Sequence, residues 1–209
     1  MTSDCLRTED RTGGIRLIAM MEPDRRNALS DAMRGALRDA LRLAHDDAAV
    51  KAIVITGSGG CFCAGGDIKG MGQPAPVALE RLEVVHDVIR LIALGPKPVV
   101  AAVEGVAYGG GMSLAACCDV VVAAEGARFC VSFSRVGLVP DMGAMWSLPR
   151  RMGAARAQRM MLDGREVKGP EAVELGLADL LADGDTVDAA VSEAQRLVHL
   201  FLLEKALYE

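Results

Sequence analysis

The chain has few aromatic residues and no excess of basic charge. Four Phe, two Tyr and one Trp are spread over 209 residues, so the core has to be built from Ala, Val, Leu, Ile and Met. Such side chains favour close packing of helices on a sheet. Lys and Arg number 23 against 28 Asp and Glu, a net charge of −5. No basic surface for a phosphate backbone is implied, so nucleic acid is not an expected partner.

Long apolar runs are also lacking. The longest stretch without a charged residue covers 15 residues, 52–66, and contains five glycines. A membrane-spanning helix needs about 20 apolar residues, so no membrane span is expected. The first 14 residues, MTSDCLRTEDRTGG, are polar and carry both signs of charge. They lack the apolar segment of a secretory signal, and we expect a cytoplasmic location.

The cysteines and histidines do not form a metal or disulfide pattern. Six cysteines are sparse for a disulfide scaffold, and Cys117 and Cys118 lie in an apolar helical stretch where thiols behave as small hydrophobes. We expect them to be reduced. The three histidines are widely spaced, and no Cys/His set has zinc spacing. No metal is therefore expected.

Predicted strands and helices alternate along the chain. Buried strands such as KAIVIT and VVAAV are followed by segments with apolar residues at helical spacing. This order predicts an α/β fold with parallel strands and helices on the faces of the sheet. The strands are predicted at 15–21, 51–56, 99–103, 119–124 and 127–131, and the helices at 31–47, 76–94, 109–117, 143–152 and from about 186.

Two glycine-rich loops each follow a predicted buried strand. They are 56–69, TGSGGCFCAGGDIK, and 104–113, EGVAYGGGMS. In an α/β sheet, ligands bind where strands end and helices begin, and N–H groups at a helix start stabilise negative charge. Two such loops are able to place two N–H donors on one oxygen. Neither loop is a Walker A or dinucleotide motif, and a turn that merely needs glycine remains the alternative for each.

Six ordered segments within residues 15–181 form a recognisable set. They are RNAL at 26–29, FCAGGDIKGM at 62–71, KPVVAAVEG at 97–105, YGGGM at 108–112, CD at 118–119 and GLVP at 137–140. Together they resemble the enoyl-CoA hydratase/isomerase family. The resemblance implies the crotonase (Clp/crotonase) fold, with repeated ββα units and a helical C-terminal region. It also implies an acyl-CoA substrate, with no cofactor beyond the coenzyme A of that substrate.

The resemblance assigns roles to particular residues. The backbone N–H groups of Gly66 and Gly110 are expected to hold the thioester carbonyl, where preorganised donors stabilise an enolate. Asp67 is expected in the substrate site, with fixing of the turn as its alternative. The residues expected to bind the coenzyme A part are Arg26, Ala28, Ala64, Gly65, Asp67, Ile68 and Lys69.

Two departures from the family pattern bear on the reaction. Family hydratases use two glutamates, and the matching positions here are Ser113 and Phe133. Neither side chain can do the acid–base work of a carboxylate, so hydration is disfavoured.

The segment GLVPDMG instead resembles the isomerase branch, including phenylacetate-pathway isomerases that act on ring-epoxide or unsaturated acyl-CoA. There, Asp141 is expected to carry a proton. Its alternative role is to cap the predicted helix 143–152.

An Asp that transfers protons near neutral pH needs surroundings that raise its pKa. The side chains expected to provide an apolar pocket are Met112, Phe133, Met142 and Trp146, although each also suits an ordinary core.

Three functions stay open at this point. The first is an acyl-CoA isomerase, the second is hydratase, lyase or thioester hydrolase chemistry on the same scaffold, and the third is a non-catalytic coenzyme A-binding protein. The resemblance also implies a homotrimer or a dimer of trimers. Family members are longer, so residues 1–181 are expected to form the core domain with the coenzyme A site, and 182–209 a short, truncated helical region.

Overall fold

The central feature of the fold is a six-stranded sheet. The computed structural model describes residues 4–67 and 74–208. The strand order is β1-β2-β3-β4-β6-β9, and β1 is the antiparallel member at one edge. The other neighbours pair in parallel, as the strand–helix alternation predicts. The strands are β1 (Leu6–Arg11), β2 (Ile15–Met20), β3 (Ala52–Gly57), β4 (Val99–Val103), β6 (Val120–Ala123) and β9 (Leu180–Leu181).

A second, smaller sheet lies beyond the main one. It contains β5 (Val106–Tyr108), β7 (Arg128–Cys130) and β8 (Glu166–Lys168). Strands β5 and β7 pair in parallel, and each comes directly after a strand of the main sheet. A strand of the large sheet, a strand of the small sheet and then a helix form a repeated ββα unit. The expected crotonase-type α/β fold is confirmed.

Helices cover both faces of the main sheet. The helices are α1 (Asp31–Asp46), α2 (Ala75–Leu94), α3 (Gly110–Cys117), α4 (Ala144–Met152), α5 (Ala154–Asp163), α6 (Gly169–Glu174) and α7 (Thr186–Tyr208). Successive side chains of a strand point to opposite faces, and the two buried clusters divide accordingly. Ile53 and Ile55 belong to the cluster that includes buried residues of α1, α2 and α3. Val54 belongs to the cluster that α7 closes with Ala190.

A local sequence signal explains where α1 begins. The side chain of Ser30 accepts a hydrogen bond from the Met33 N–H at 3.2 Å, as an N-cap does. The predicted apolar face of α1 is buried, and Met33, Leu37 and Leu41 lie against the sheet. No helix in the described part of the chain is long and apolar enough to cross a bilayer.

Candidate active site

The first glycine-rich loop is held as an extended segment between two neighbours. On one side, the Cys63 N–H donates to Val106 O at 2.9 Å and Cys63 O accepts from the Tyr108 N–H at 3.0 Å. On the other side, the Leu29 N–H donates to Gly65 O at 2.8 Å. The loop is therefore fixed through its main chain to the two segments that precede α1 and α3.

Two backbone N–H groups face the same small space. The carbonyl of Gly65 points at Leu29, and because C=O and N–H of a trans peptide point in opposite directions, the Gly66 N–H points away from Leu29. Gly110 is the first residue of α3, where N–H groups have no partner within the helix. A Cβ built on Gly110 would lie 3.6 Å from the Gly66 nitrogen. The structure thus brings Gly66 and Gly110 together, and binding of a thioester oxygen there stays a prediction.

Side-chain atoms are excluded at two positions around these donors. Gly65 has φ +103°, and a Cβ there would lie 2.8 Å from Tyr108 O. A Cβ on Gly111 would lie 2.3 Å from Cys63 O. The two loops can approach this closely only because these residues are glycines.

Asp141 lies in a turn beside the same space. Met142 and Gly143 both have left-handed conformations, with φ 50° and 79°, and the Ala144 N–H donates to Asp141 O at 3.0 Å. The side chain of Met142 reaches the start of α3, since a Cβ on Gly110 would lie 2.7 Å from Met142 Sδ. The N-cap of α4 is Gly143, without a side-chain bond. Asp141 therefore does not cap this helix, which was its alternative role.

The surroundings of Asp141 make its carboxyl harder to ionise. Although the residue is exposed at one side, desolvation by the surrounding protein raises the pKa of Asp141. The charge of His86 opposes this most strongly and lowers the pKa, followed by the backbone N–H of Asp141 itself and by the charge of Arg34. A carboxyl with a raised pKa is better suited to give back a proton that it has accepted.

Neither position that holds a glutamate in the hydratases offers a proton carrier. The Ser113 hydroxyl is fully buried and donates to Gly109 O at 3.2 Å. Phe133 is 7% exposed and lies in the short 3-10 helix Ser132–Val136.

The other predicted site residues lie in different surroundings. Arg26 O accepts from the Ala64 N–H at 2.9 Å, so RNAL and the first loop are adjacent. Asp67 pairs with Arg25 at 2.6 Å. Met112 is fully buried, whereas Trp146 is 44% exposed and carries Arg150 over its ring at 4.4 Å. It stays a prediction that the substrate contacts Arg26, Ala28, Ala64, Gly65, Asp67, Met112 and Trp146. Ile68 and Lys69 lie outside the described residues.

Sequence reasoning missed the residues that support the loops. Asn27 is fully buried in a left-handed conformation, φ 53°. Its side chain accepts from the Glu22 N–H at 2.9 Å and donates to Ser58 O and Cys61 O at 3.0 and 2.6 Å. The residue type was the sequence signal for this role, because Asn adopts a left-handed conformation more readily than most residues. His86 and Cys63 were not assigned to the site either.

The described ranges contain no group of three or more His, Cys, Asp or Glu side chains that could hold a metal ion. None of the six cysteines, all of which lie in the described ranges, forms a disulfide bond.

Comparisons with known proteins agree with this architecture. The sequence profile of the enoyl-CoA hydratase/isomerase family matches residues 10–206. The chain is 36% identical over 192 residues to the 1,2-epoxyphenylacetyl-CoA isomerase of Escherichia coli strain K12, covering 88% of this chain and 72% of that protein.

Solved structures agree as well. A structure of an enoyl-CoA hydratase from Polaromonas sp. JS666 matches with a TM-score of 0.86 and 36% identity, over 92% of this chain and 77% of that one. A structure of an enoyl-CoA hydratase/isomerase from Mycobacterium paratuberculosis matches with a TM-score of 0.87 and 32% identity, over 94% and 80% of the two chains. With its profile match, its relatives and its fold in agreement, the chain belongs to the enoyl-CoA hydratase/isomerase family.

Proposed function

We propose that this member of the family is an isomerase that shifts a double bond of an unsaturated acyl-CoA. The observation that carries the proposal is the carboxylate of Asp141, whose turn contacts the start of α3 beside the paired N–H groups of Gly66 and Gly110. Ser113 and Phe133 supply no second carboxylate, and addition of water on this scaffold uses two. Movement of one proton from carbon to carbon needs only one base.

The proposed reaction has two proton transfers. Asp141 takes a proton from C2 of a 3-enoyl thioester, and the electrons move onto the thioester oxygen to give a dienolate. The N–H groups of Gly66 and Gly110 stabilise that oxygen, each by about 3 kcal/mol in comparable oxyanion holes. Asp141 then returns the proton to C4, which leaves the double bond between C2 and C3. Oxidation state does not change, so no redox cofactor takes part.

Binding of the coenzyme A part is proposed at the loop edge formed by Arg26, Ala28, Ala64 and Asp67. Ile68 and Lys69 continue this edge in the sequence. The adjacent main chains of Arg26 and Ala64 support this, together with the exposed, positively charged side chain of Arg26. Local contacts of this kind allow an acidic protein to bind an anionic ligand.

A homotrimer or a dimer of trimers is also proposed. Its support here is a group of exposed apolar side chains in the segment that follows β7 and in the first turn of α4, since contiguous apolar surface is typical of interfaces. These side chains are Val136, Leu138, Val139, Met145 and Trp146. Light scattering at several protein concentrations measures the assembly, and a monomer at all of them would exclude it.

Incubation with 3-enoyl-CoA and, separately, with 2-enoyl-CoA tests the function. An isomerase converts 3-enoyl-CoA to the conjugated 2-enoyl form, so the ultraviolet absorbance of the conjugated thioester rises. Hydratase or lyase chemistry, which the names of several relatives favour, removes conjugation from 2-enoyl-CoA instead. Release of free thiol indicates a hydrolase. No change in either mixture indicates a non-catalytic binding protein.

Asp141→Asn identifies the proton carrier. The variant keeps the shape of the side chain but not its basicity, and isomerisation is expected to fall by about a thousandfold. Asp163→Asn is the matched control, because Asp163 is on the surface of α5 and pairs with Arg159 at 3.1 Å. Turnover of Asp141→Asn at the wild-type rate would exclude Asp141 as the base.

A further inference from the structure

One face of α2 lies against the turn that carries Asp141. Ile89 Cγ2 is 3.1 Å from the position that a Cβ on Gly143 would occupy. Residues three apart on a helix share a face, so His86 lies one turn before Ile89 on this face. Asp141 belongs to the same turn as Gly143 and lies two residues before it. His86 and Asp141 therefore lie on the two elements that meet here, and the charge of His86 lowers the pKa of the Asp141 carboxyl.

Two acidic groups flank His86 on α2: Glu83 lies one turn before it, and Asp87, the next residue, is already engaged. Asp87 is held by Arg42 at 2.7 Å and by Arg90 at 3.4 Å. Two cations therefore share the carboxylate of Asp87, whereas His86 lies one helical turn before Ile89, which contacts the turn of Asp141. His86 is also exposed, so solvent can exchange protons with its ring.

The remaining charged or titratable groups around Asp141 come from α1 and α3. Arg34 of α1 acts on Asp141 as a second cation, but more weakly than His86. Its guanidinium is bound to the carboxylate of Asp31 and donates through Nε to Ser30 O at 3.3 Å. From α3, the Cys117 thiol donates to Met142 O at 3.6 Å, and burial raises the pKa of this thiol. Cys117 thus stays neutral, and His86 supplies the larger positive charge.

We propose that His86 is a positioning residue for Asp141: as an imidazolium on the facing turn of α2, it keeps the proton-accepting carboxylate ionised. This inference rests on the proposed function, in which Asp141 carries the substrate proton. Desolvation alone would leave more of Asp141 protonated and unable to accept a proton. The cation on α2 counteracts that loss without contacting the reacting atoms.

The first test needs no turnover. In protein labelled with ¹³C at Asp, the Asp141 carboxyl is titrated by NMR in the wild type and in His86→Gln. Removal of the cation is expected to move the Asp141 titration to higher pH, and His86→Lys is expected to move it back. His199→Gln is the control, because His199 is an exposed histidine on α7, the helix of the opposite sheet face. An Asp141 titration in His86→Gln that matches the wild type overturns the proposal.

The second test is the pH profile of kcat/KM for isomerisation. In His86→Gln the acid limb is expected to move to higher pH, with a loss of about threefold at pH 5 and none at pH 8. A purely structural role would lower activity equally at all pH values, and that result overturns the proposal. His86→Lys is expected to restore activity at pH 5.

The two proposals fail in distinguishable ways. If wild-type protein does not isomerise 3-enoyl-CoA, the proposed function fails, while the NMR titration still decides whether His86 controls the ionisation of Asp141. If wild-type protein isomerises 3-enoyl-CoA and the titration of Asp141 is the same in His86→Gln, only the inference about His86 fails.

The effect of His86 on the Asp141 titration is also expected to shrink in 1 M salt, because exposed charges are screened.

Discussion

The two parts of the candidate active site are held in different ways. The first glycine-rich loop is bonded through its main chain on both sides, to Leu29 and to Tyr108, and a buried Asn27 supports its flank. Asp141 instead lies in an exposed turn of two successive left-handed residues, with Ala144 closing the turn. The proposed N–H donors are thus fixed by the backbone, whereas the proposed proton carrier lies where its surroundings alter its pKa.

The largest expected effect on stability and turnover together comes from breaking the contact between the two loops. In Gly111→Ala, the new Cβ would lie 2.3 Å from Cys63 O, which is backbone and cannot move aside cheaply. We expect a loss of stability of about 1–3 kcal/mol and a fall in kcat of at least about 100-fold. Thermal unfolding and the isomerase assay measure both.

Gly126→Ala is the matched control, because nothing lies within 4 Å of a Cβ there. It is expected to behave as the wild type. If Gly111→Ala keeps both the wild-type melting temperature and full turnover, the loops are not held as tightly as described.

A smaller effect is expected from removing the support of the loop. Asn27→Ala leaves Ser58 O, Cys61 O and the Glu22 N–H without their partner, which costs about 1–3 kcal/mol. Urea unfolding measures the change. Asn27→Gly loses the same bonds but adopts φ 53° without strain, so it is expected to be less destabilised. An Asn27→Ala variant as stable as the wild type would show that these bonds are dispensable.

The smallest effect is expected at the turn and has the opposite sign. Because burial raises the pKa of Asp141, ionising this carboxyl costs the folded state stability. The protonated carboxyl thus stabilises the folded state relative to the ionised one. This stabilisation is fully present below the ordinary Asp pKa and is lost as pH rises through the raised pKa. Asp141→Asn is therefore expected to unfold at a slightly higher temperature than the wild type at pH 7. The difference vanishes near pH 3, and Asp163→Asn shows none.

The sequence predicts the inner part of the fold better than its edges. Strands such as β3 and β4 are apolar throughout because both of their faces are buried. Strand β1, LRTEDR, was not predicted, since four of its six residues are charged and only Leu6 is buried, and its pairing with β2 is what makes it a strand. The three-residue strands β5 and β8 are too short to show a period.

For the site, sequence and resemblance identified the two glycine loops and Asp141, which the structure brings together. The supporting residues escaped because their role depends on contacts between distant segments. Asn27 bonds across 34 residues to Cys61, and His86 meets the turn of Asp141 only through the packing of α2. Neither contact leaves a periodic pattern. The domain division at 181 stays a prediction, while α7 packs on one face of the sheet against β2, β3, β4 and β6.

The cysteine at the centre of the first loop has a chemical consequence. Burial raises the pKa of Cys63 to about 12, so its sulfur stays a thiol at any physiological pH. Thiolates, not thiols, attack electrophiles and are oxidised readily. The Cys63 sulfur accepts a hydrogen bond from the N–H of Gly65 at 3.4 Å. The loop can therefore contain a sulfur atom and still be inert towards alkylating agents and peroxide.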